Sequence, residues 1–447
     1  MDTFVSQEMI FFPALAKLPS HMPPTDYLSE LAWRGMLHQA TDGLAAHFAG
    51  GVRTGYCGFD PTAESLTVGN LVSVMLLARL QRCGHKPIAV VGGATGMIGD
   101  PSGKASERTL MDAERVQHNL AGQRAQMQRL LDFSGPCAAT IVNNNDWLGT
   151  LGFIDVLRDV GKHFSVNQMM ARDSVASRLE GREQGISYTE FSYMILQAYD
   201  FLHLHRAQGC TLQLGGSDQF GNIVSGVDLI RRVTGAHAFG ATAPLLLKND
   251  GTKFGKSESG NIWLAADRTS PFRFHQFFLN AADHQAGELL RWFTFKSREE
   301  IEALESQIKS APQERAAQKS LADAVTDLVH GATETARAKT AANALFSGDI
   351  RSLDAGLLKD VIADVPSSEL LAAQLAGEGT PLIDLLISTA LAASKREARE
   401  FLAAGAVSVN GEKVGADSRL TTAHLLHGHA ALLKRGKKLW HAVRVAG

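Results

Sequence analysis

Tyr56-Cys57-Gly58-Phe59-Asp60-Pro61-Thr62 runs on to Thr67-Val68-Gly69-Asn70, and the reading of these two pieces decides the fold. Thr54 to Asp60 reads as a strand. Asn70 to Gly84 reads as a helix that sets Leu71, Val74, Met75 and Ala78 on one face. Pro87 to Val91 is a second apolar strand, which completes a βαβ unit. Such a unit binds its ligand at the carboxyl ends of parallel strands. Gly69 permits close backbone approach there, and Asn70 opens a helix whose unpaired N–H groups and positive dipole end receive phosphate.

Much further on, Lys253-Phe254-Gly255-Lys256-Ser257 lies between Gly251 and Gly260, the setting of a mobile loop. Two lysines that close over a polyphosphate would stabilise the charge that builds on departing pyrophosphate. A Lys-x-x-Lys-Ser run alone is commonly just solvated. Paired with an upstream helix-start phosphate site, it points to a divided nucleotide site.

The α/β pattern recurs between these pieces. Ser187-Tyr188-Thr189-Glu190 has the form of a capping box opening a helix to about Arg206. Thr211 to Leu214 reads as a strand, Gly215-Gly216-Ser217-Asp218-Gln219 as the loop before another helix, and Ala241 to Leu247 as a last short strand. Tyr193, Gln197 and Asp200 share one helical face, which is either a solvent-facing stripe or a pocket wall that reads a small polar ligand. The Gly-rich turn from Gly92 to Lys104 fits neither a P-loop, because Ile98 and Ala105 occupy positions that it reserves, nor a dinucleotide fingerprint, whose spacing Gly93, Gly96 and Gly99 miss. It is either a structural turn or a place of close ligand contact.

From Ser270-Pro271 to about Phe346 the sequence is helical and polar, and from Ser347 to Gly379 it weakens into a linker with short helical pieces. The expected organisation is an extension over 1–24, poorly ordered and without a signal peptide's basic start. A catalytic domain over 25–269, a helical domain over 270–346, a linker over 347–379 and a small domain over 380–447 follow.

Composition agrees with that plan. Of 447 residues, 45% are hydrophobic and 20% charged, as in a globular protein with sizeable cores. No apolar run approaches the roughly 20 residues that span a bilayer. The widely spaced Cys57, Cys83, Cys137 and Cys210 suggest neither a disulfide framework nor a zinc site, so a reducing cytoplasm and no bound protein metal are expected. The net charge of −2 hides an asymmetry: Thr380 to Gly447 holds 10 Lys and Arg against 5 Asp and Glu, a surplus of +5, which leaves −7 on the rest. A basic module on an acidic body suits a polyanionic partner; a merely basic solvated face is the other reading.

Taken together these segments resemble the bacterial tyrosyl-tRNA synthetases, from about Tyr27 to the end of the chain. The resemblance implies a doubly wound, Rossmann-like parallel-sheet catalytic domain, a helical domain and a small α+β domain like that of ribosomal protein S4. Tyr56 and Asp200 match the pair that bonds the tyrosine phenol, and Asp100, Tyr193 and Gln197 match the residues that hold the substrate ammonium group. Asp60, Asp218 and Gln219 match other residues of the tyrosine and adenylate site, Thr62 one that assists the leaving phosphates, and Gly58, Gly69 and Gly215 adenylate-contacting backbone positions. Lys253, Lys256 and Ser257 match the mobile signature loop, whose usual form is Lys-Met-Ser-Lys-Ser.

The chain departs from the family in two places. The usual His-Ile-Gly-His is Thr67-Val68-Gly69-Asn70, a form that looks like the Thr-Ile-Gly-Asn of tryptophanyl-tRNA synthetases. Thr67 and Asn70 still donate hydrogen bonds but carry no positive charge. Phe220 stands where many relatives have Trp, keeping an aromatic wall and losing the indole donor. Neither change removes a phenol-reading group.

In the tail, Ser394-Lys395-Arg396-Glu397-Ala398-Arg399 begins an amphipathic helix and Gly405 to Glu412 reads as strand and turn. The S4-type resemblance makes Lys395, Arg396 and Arg399 RNA-phosphate contacts and Lys434, Arg435, Lys437 and Lys438 a second basic patch. The family's reaction would join L-tyrosine to tRNA(Tyr) in two steps, with ATP and Mg2+ as substrate, in a homodimer away from any membrane. Thr62, Thr67, Asn70, Lys253 and Lys256 would stabilise charge in the first step. A tryptophanyl enzyme and a non-catalytic RNA-binding paralogue are the alternatives that Thr67 and Asn70 raise.

Overall fold

A computed structural model describes residues 26–102, 111–172, 175–176, 186–247, 254–257, 260–436 and 439–446. The expected extension over 1–24 lies outside the described residues. The chain divides into two compact units, Met1–Ala265 with Gly287–Ile301, and Ala266–Ala286 with Glu302–Gly447.

The first unit is built on a six-stranded sheet of β1 (Gln39–Ala40), β2 (Thr54–Phe59), β3 (Lys86–Val91), β4 (Thr140–Asn143), β5 (Cys210–Gly216) and β6 (Phe239–Ala243). Its order is β1-β6-β5-β2-β3-β4. All neighbours are parallel except the short edge pair β1 and β6. The chain order reverses between β2 and β5, the switch point at which open α/β sheets leave a crevice. Tyr56 on β2 pairs in register with Ile88 on β3 and with Gln213 on β5.

Helix α1 (Val68–Arg82) starts two residues before the expected Asn70, because Thr67 and Asn70 cap each other's backbone N–H groups in a reciprocal box. Leu71, Val74, Met75 and Leu77 are buried along it. Helix α2 (Tyr188–Gln208) follows the expected cap, with Ser187 accepting from the Glu190 N–H, and ends on Gly209 in the left-handed region. It lies close to α3 (Phe220–Thr234): a Cβ on Gly226 would sit 3.0 Å from the Phe201 ring. Tyr56, Ile88, Phe201, Leu202 and Ile230 share one core under the sheet. Strand β6 starts before the expected Ala241 and stops at Ala243, since Pro244 has no N–H to continue a ladder.

In the second unit the helices α4 (Pro271–Leu279), α5 (Ala316–His330), α6 (Ala332–Ser347) and α7 (Ala355–Asp364) precede a five-stranded sheet. The short pair β7 (Lys256–Ser257) and β8 (Gly260–Asn261) belongs to the first unit. The five strands are β9 (Ser367–Leu371), β11 (Val407–Val409), β12 (Glu412–Lys413), β14 (Ala430–Arg435) and β15 (Leu439–Ala446), with β10 (Thr380–Pro381) and β13 (Arg419–Leu420) paired beside them. Helix α8 (Lys395–Ala403) begins at its expected Ser394 cap.

The stretch 347–379 differs from the linker that the sequence suggested. It holds α7 and β9, and β9 pairs in parallel with β15 from Ser367 beside Ala442 to Leu371 beside Ala446. Phe272 of α4, Ala338 and Ala341 of α6, Leu358 and Val361 of α7, Leu432 of β14 and Ala442 of β15 close into one apolar core. Helices and sheet of this unit are thus one folded body.

Candidate active site

The loops at the carboxyl ends of β2, β3 and β5 and the start of α1 enclose a cavity of about 360 Å³. Of the residues expected in the site, Tyr56, Gly58, Asp60, Thr62, Thr67, Gly69, Asn70, Asp100, Tyr193, Gln197, Asp200, Gly215, Asp218 and Gln219 all line it. The face shared by Tyr193, Gln197 and Asp200 is therefore a pocket wall. Phe220 is not part of the lining.

At the closed end Asp200 is 4% exposed and accepts two hydrogen bonds, from Trp147 Nε1 at 2.7 Å and Asn144 Nδ2 at 2.9 Å. Burial pushes its carboxyl up to about 7, with Asp60 adding a like charge, while the two hydrogen bonds pull the other way. Tyr56 is buried, and its hydroxyl has no hydrogen-bond partner among the described residues. Burial first, and then Asp200, holds the Tyr56 phenol well above its ordinary range. Asn144 is itself fixed, since Ala94 N–H donates to its Oδ1 and its Nδ2 also reaches Thr95 Oγ1, both at 2.9 Å.

Sequence reading missed Asn144 and Trp147. Both follow β4, a strand whose end lies at the same rim of the sheet, and Asn143-Asn144-Asn145 reads as an ordinary turn. The turn after β3 is structural as well as ligand-facing. A Cβ on Gly92 would meet Asp60 Oδ1 at 2.8 Å and one on Gly96 would meet Pro61 Cδ at 2.8 Å, so both positions need glycine for the loop to lie against Asp60-Pro61.

A second polar group lies beside α2. Gln219 Nε2 donates to Asp100 Oδ2 at 2.6 Å, Gln197 Nε2 donates to Gln219 Oε1 at 3.2 Å, and the unexpected Asn222 donates to Gln197 Oε1 at 3.1 Å. Tyr193 reaches Asp60 Oδ1 at 3.4 Å. Carboxylates, amide oxygens and a phenol oxygen are acceptors of the kind an ammonium group requires.

At the open end, the segment after Phe254 lies across the start of α1. Ile262 N donates to Gly255 O at 2.8 Å, Val68 N to Ile262 O at 3.0 Å, and a Cβ on Gly255 would come within 3.2 Å of Gly69 N. Lys256 and Ser257 pair in β7 with Asn261 and Gly260. Their side chains and the whole of Lys253 lie outside the described residues. The short loop is nonetheless held by its backbone at the helix end where Thr67, Gly69 and Asn70 line the cavity.

Lys395, Arg396 and Arg399 are exposed on α8, but Lys395 pairs with Asp384 at 3.0 Å and Arg396 with Glu400 at 2.9 Å. Of the second basic patch, the two described residues are engaged within the unit. Lys434 donates to Leu345 O at 3.2 Å and lies over the Trp440 ring, and Arg435 lies over Phe401 and pairs with Glu397 at 3.8 Å. These two serve the fold, because half-buried cations on β14 find partners within the unit. Lys437 and Lys438 lie outside the described residues.

Two families match the chain: tRNA synthetases class I (W and Y) over residues 52–347, and the tyrosine–tRNA ligase SYY-like C-terminal domain over residues 358–443. The tyrosine–tRNA ligase of Geobacillus kaustophilus is 52% identical over 426 residues, which cover 94% of this chain and 100% of that protein. That of Opitutus terrae is 50% identical over 422 residues, 94% of this chain and 99% of the relative. Among solved structures, a C-terminally truncated mitochondrial tyrosyl-tRNA synthetase of Aspergillus nidulans aligns with a TM-score of 0.66 at 30% identity, over 72% of this chain and 94% of its own. A tryptophanyl-tRNA synthetase of Plasmodium falciparum aligns with a TM-score of 0.51 at 14% identity, over 74% and 87%, which is likeness of fold alone.

Proposed function

The chain belongs to the class I tRNA synthetases of the tryptophan and tyrosine group, on their tyrosine side, and from that premise we propose how its own residues divide the work. The protein is a tyrosine–tRNA ligase. A carboxylate oxygen of L-tyrosine attacks the α-phosphorus of ATP, the bond to the β-phosphate oxygen breaks, and pyrophosphate leaves. A hydroxyl of the terminal adenosine of tRNA(Tyr) then takes the acyl group and AMP departs. No side chain forms a covalent intermediate.

The observation that carries the substrate assignment is the buried, partnerless Tyr56 hydroxyl beside the twice-bonded Asp200 carboxyl. A phenol placed there satisfies both groups, whereas an indole brings no oxygen for Tyr56 to donate to. Asp100, Tyr193, Gln197 and Gln219 receive the ammonium end. Gly58, Asp60, Gly69, Gly215 and Asp218 receive the adenylate, and Thr62, Thr67, Asn70, Lys253, Lys256 and Ser257 serve the phosphates. Mg2+ comes with ATP as part of the substrate.

Lys395, Arg396 and Arg399 meet RNA phosphates. A homodimer, with one tRNA touching both subunits, is supported by the exposed Phe153, Ile154, Leu157, Val166 and Met170, which cluster within one short stretch of the chain. No described helix is long and apolar enough to cross a membrane. The four free cysteines suit the cytoplasm. Pyrophosphate exchange into ATP with tyrosine, tryptophan or no amino acid tests the reading. Exchange that depends on tyrosine supports it, and exchange that depends on tryptophan, or none at all, overturns it.

A further inference from the structure

Gln213 interrupts a strand of buried neighbours, with Leu212 before it and Leu214 after it on β5. It is 2% exposed, it lines the cavity, and its Oε1 is buried without a hydrogen-bond partner among the described residues. Buried carboxamides are nearly always bonded, because an unmet polar group loses its water for nothing. An aliphatic residue would fill this place on β5 without that loss. The polar end therefore calls for a partner that enters the cavity.

Its position says which partner. Gln213 pairs in register with Tyr56 on the neighbouring strand, and paired residues of a ladder project to the same face with backbones about 4.8 Å apart. Two orphaned polar groups thus stand side by side at the closed end, with the Asp200 carboxyl lining the same cavity. We propose that Gln213 is a third group that reads the substrate's phenol hydroxyl, alongside Tyr56 and Asp200. The inference rests on the assignment of this pocket to tyrosine.

The hydrogen-bond count closes. A phenol hydroxyl has one hydrogen to donate and two lone pairs to accept with. Asp200 takes the hydrogen, Tyr56 O–H donates to one lone pair and Gln213 Nε2 donates to the other. Among the described residues no bond fixes the Gln213 carboxamide, so either of its ends is free to turn toward the ligand. With phenylalanine bound, the oxygen is missing and Tyr56, Gln213 and Asp200 are all left unpaired, which is how a polar site rejects an apolar analogue.

The test is pyrophosphate exchange with tyrosine and with phenylalanine, in wild type, Gln213→Leu, Tyr56→Phe and the double variant. Gln213→Leu is expected to lower kcat/KM for tyrosine tenfold or more, chiefly through KM, with a much smaller change for phenylalanine. The double variant is expected to lose less than the product of the two single losses, because both groups act on one oxygen. Gln213→Met, which keeps an unbranched side chain, covers the case in which leucine disturbs the strand. Tyrosine activation within twofold of wild type, or equal losses for tyrosine and phenylalanine, would overturn the proposal and leave Gln213 a packing or water-holding residue. Wild type that activates no tyrosine would instead remove the pocket assignment itself, and this inference with it.

Discussion

The backbone N–H of Thr67 donates to Oδ1 of Asn70 across 3.0 Å, and the Thr67 hydroxyl donates to the same oxygen across 2.8 Å. A backbone N–H can only donate, so the atom it faces must be the amide oxygen. The Asn70 NH2 is thereby turned away from the cap, and it has no partner among the described residues. On the proposed division of work, Thr67 orients Asn70, and Asn70 carries the donors offered to the nucleotide.

Thr67→Val keeps the shape and removes the hydroxyl, so it is expected to slow tyrosyl-adenylate formation by about 0.5–1.5 kcal/mol, the worth of one neutral hydrogen bond. Thr67→Ser is expected to stay near wild type. Single-turnover adenylation reads both. A Thr67→Val enzyme at full speed would mean that the cap does not matter to the phosphate site.

Asp200 is expected to make tyrosine binding depend on pH. Its carboxyl is raised to about 7 by burial, against about 3.9 in the unfolded chain. The folded state holds the proton longer, so the stability this contributes is complete below about pH 4 and is lost as pH rises through about 7. The carboxylate is the better acceptor for a phenol hydrogen. Tyrosine affinity is therefore expected to rise between pH 6 and 8 while the unliganded protein's melting temperature falls. Affinity that stays flat across that range would contradict the assignment.

Trp147→Phe keeps an aromatic ring beside His203 but removes one of the two donors that hold the Asp200 carboxyl down. The midpoint of the affinity change is expected to move to higher pH. Loss of a hydrogen bond to a charged group is worth about 1.5–3 kcal/mol, so tyrosine binding at pH 7 should weaken by a similar amount. Equilibrium titration across pH distinguishes this from a simple loss of packing, which would leave the midpoint where it was.

Gly255 has φ of 88°, and a Cβ there would press on Gly69 N. Gly255→Ala is expected to lift the loop from the helix start and slow adenylation with tyrosine affinity unchanged. Lys256→Ala should do the same through charge, by roughly 2.7–4 kcal/mol if the lysine acts as oxyanion-stabilising donors do. Rapid-quench measurement of pyrophosphate release checks both, and wild-type rates would show the loop to be a spectator.

Replacing Lys395, Arg396 and Arg399 together by alanine should weaken tRNA charging and flatten its salt dependence, with tyrosine-dependent exchange intact. Substitution is the right tool because cutting the chain before Thr380 would strip Leu432 and Ala442 from the core they share with Phe272. That truncated protein is expected to melt lower for reasons unrelated to RNA. Charging by the triple variant at wild-type efficiency in physiological salt would place the RNA surface elsewhere.

Local signals carried much of the catalytic sheet: apolar strands and the caps at Thr67 and Ser187 placed β2, β3, β5 and the helices α1 and α2 to within a few residues, while β4 and the helix Ala113–Leu130 went unread. What escaped was set at long range. Ser367–Leu371 alternates exposed and half-buried residues and contains neither a β-branched nor an aromatic side chain, so only its ladder with β15 makes it a strand. In the site, motif resemblance found groups that line the cavity but not those that hold them in place. Asn144 and Trp147 matter because folding aims them at Asp200, and Gln213 looked like one polar interruption among leucines.

The register that seats Gln213 beside Tyr56 joins segments roughly 150 residues apart in the chain. Contacts of that span form slowly, since a long loop must close before any pairing rewards it. During synthesis β2 and β3 emerge well before β5 does, and at 5–20 residues per second the wait is on the order of 10–30 s. Throughout it, the future middle of the sheet is an edge with open N–H and C=O groups. The same adjacency that completes the pocket leaves the growing chain a strand-pairing hazard, and a place where a chaperone would have most to shield.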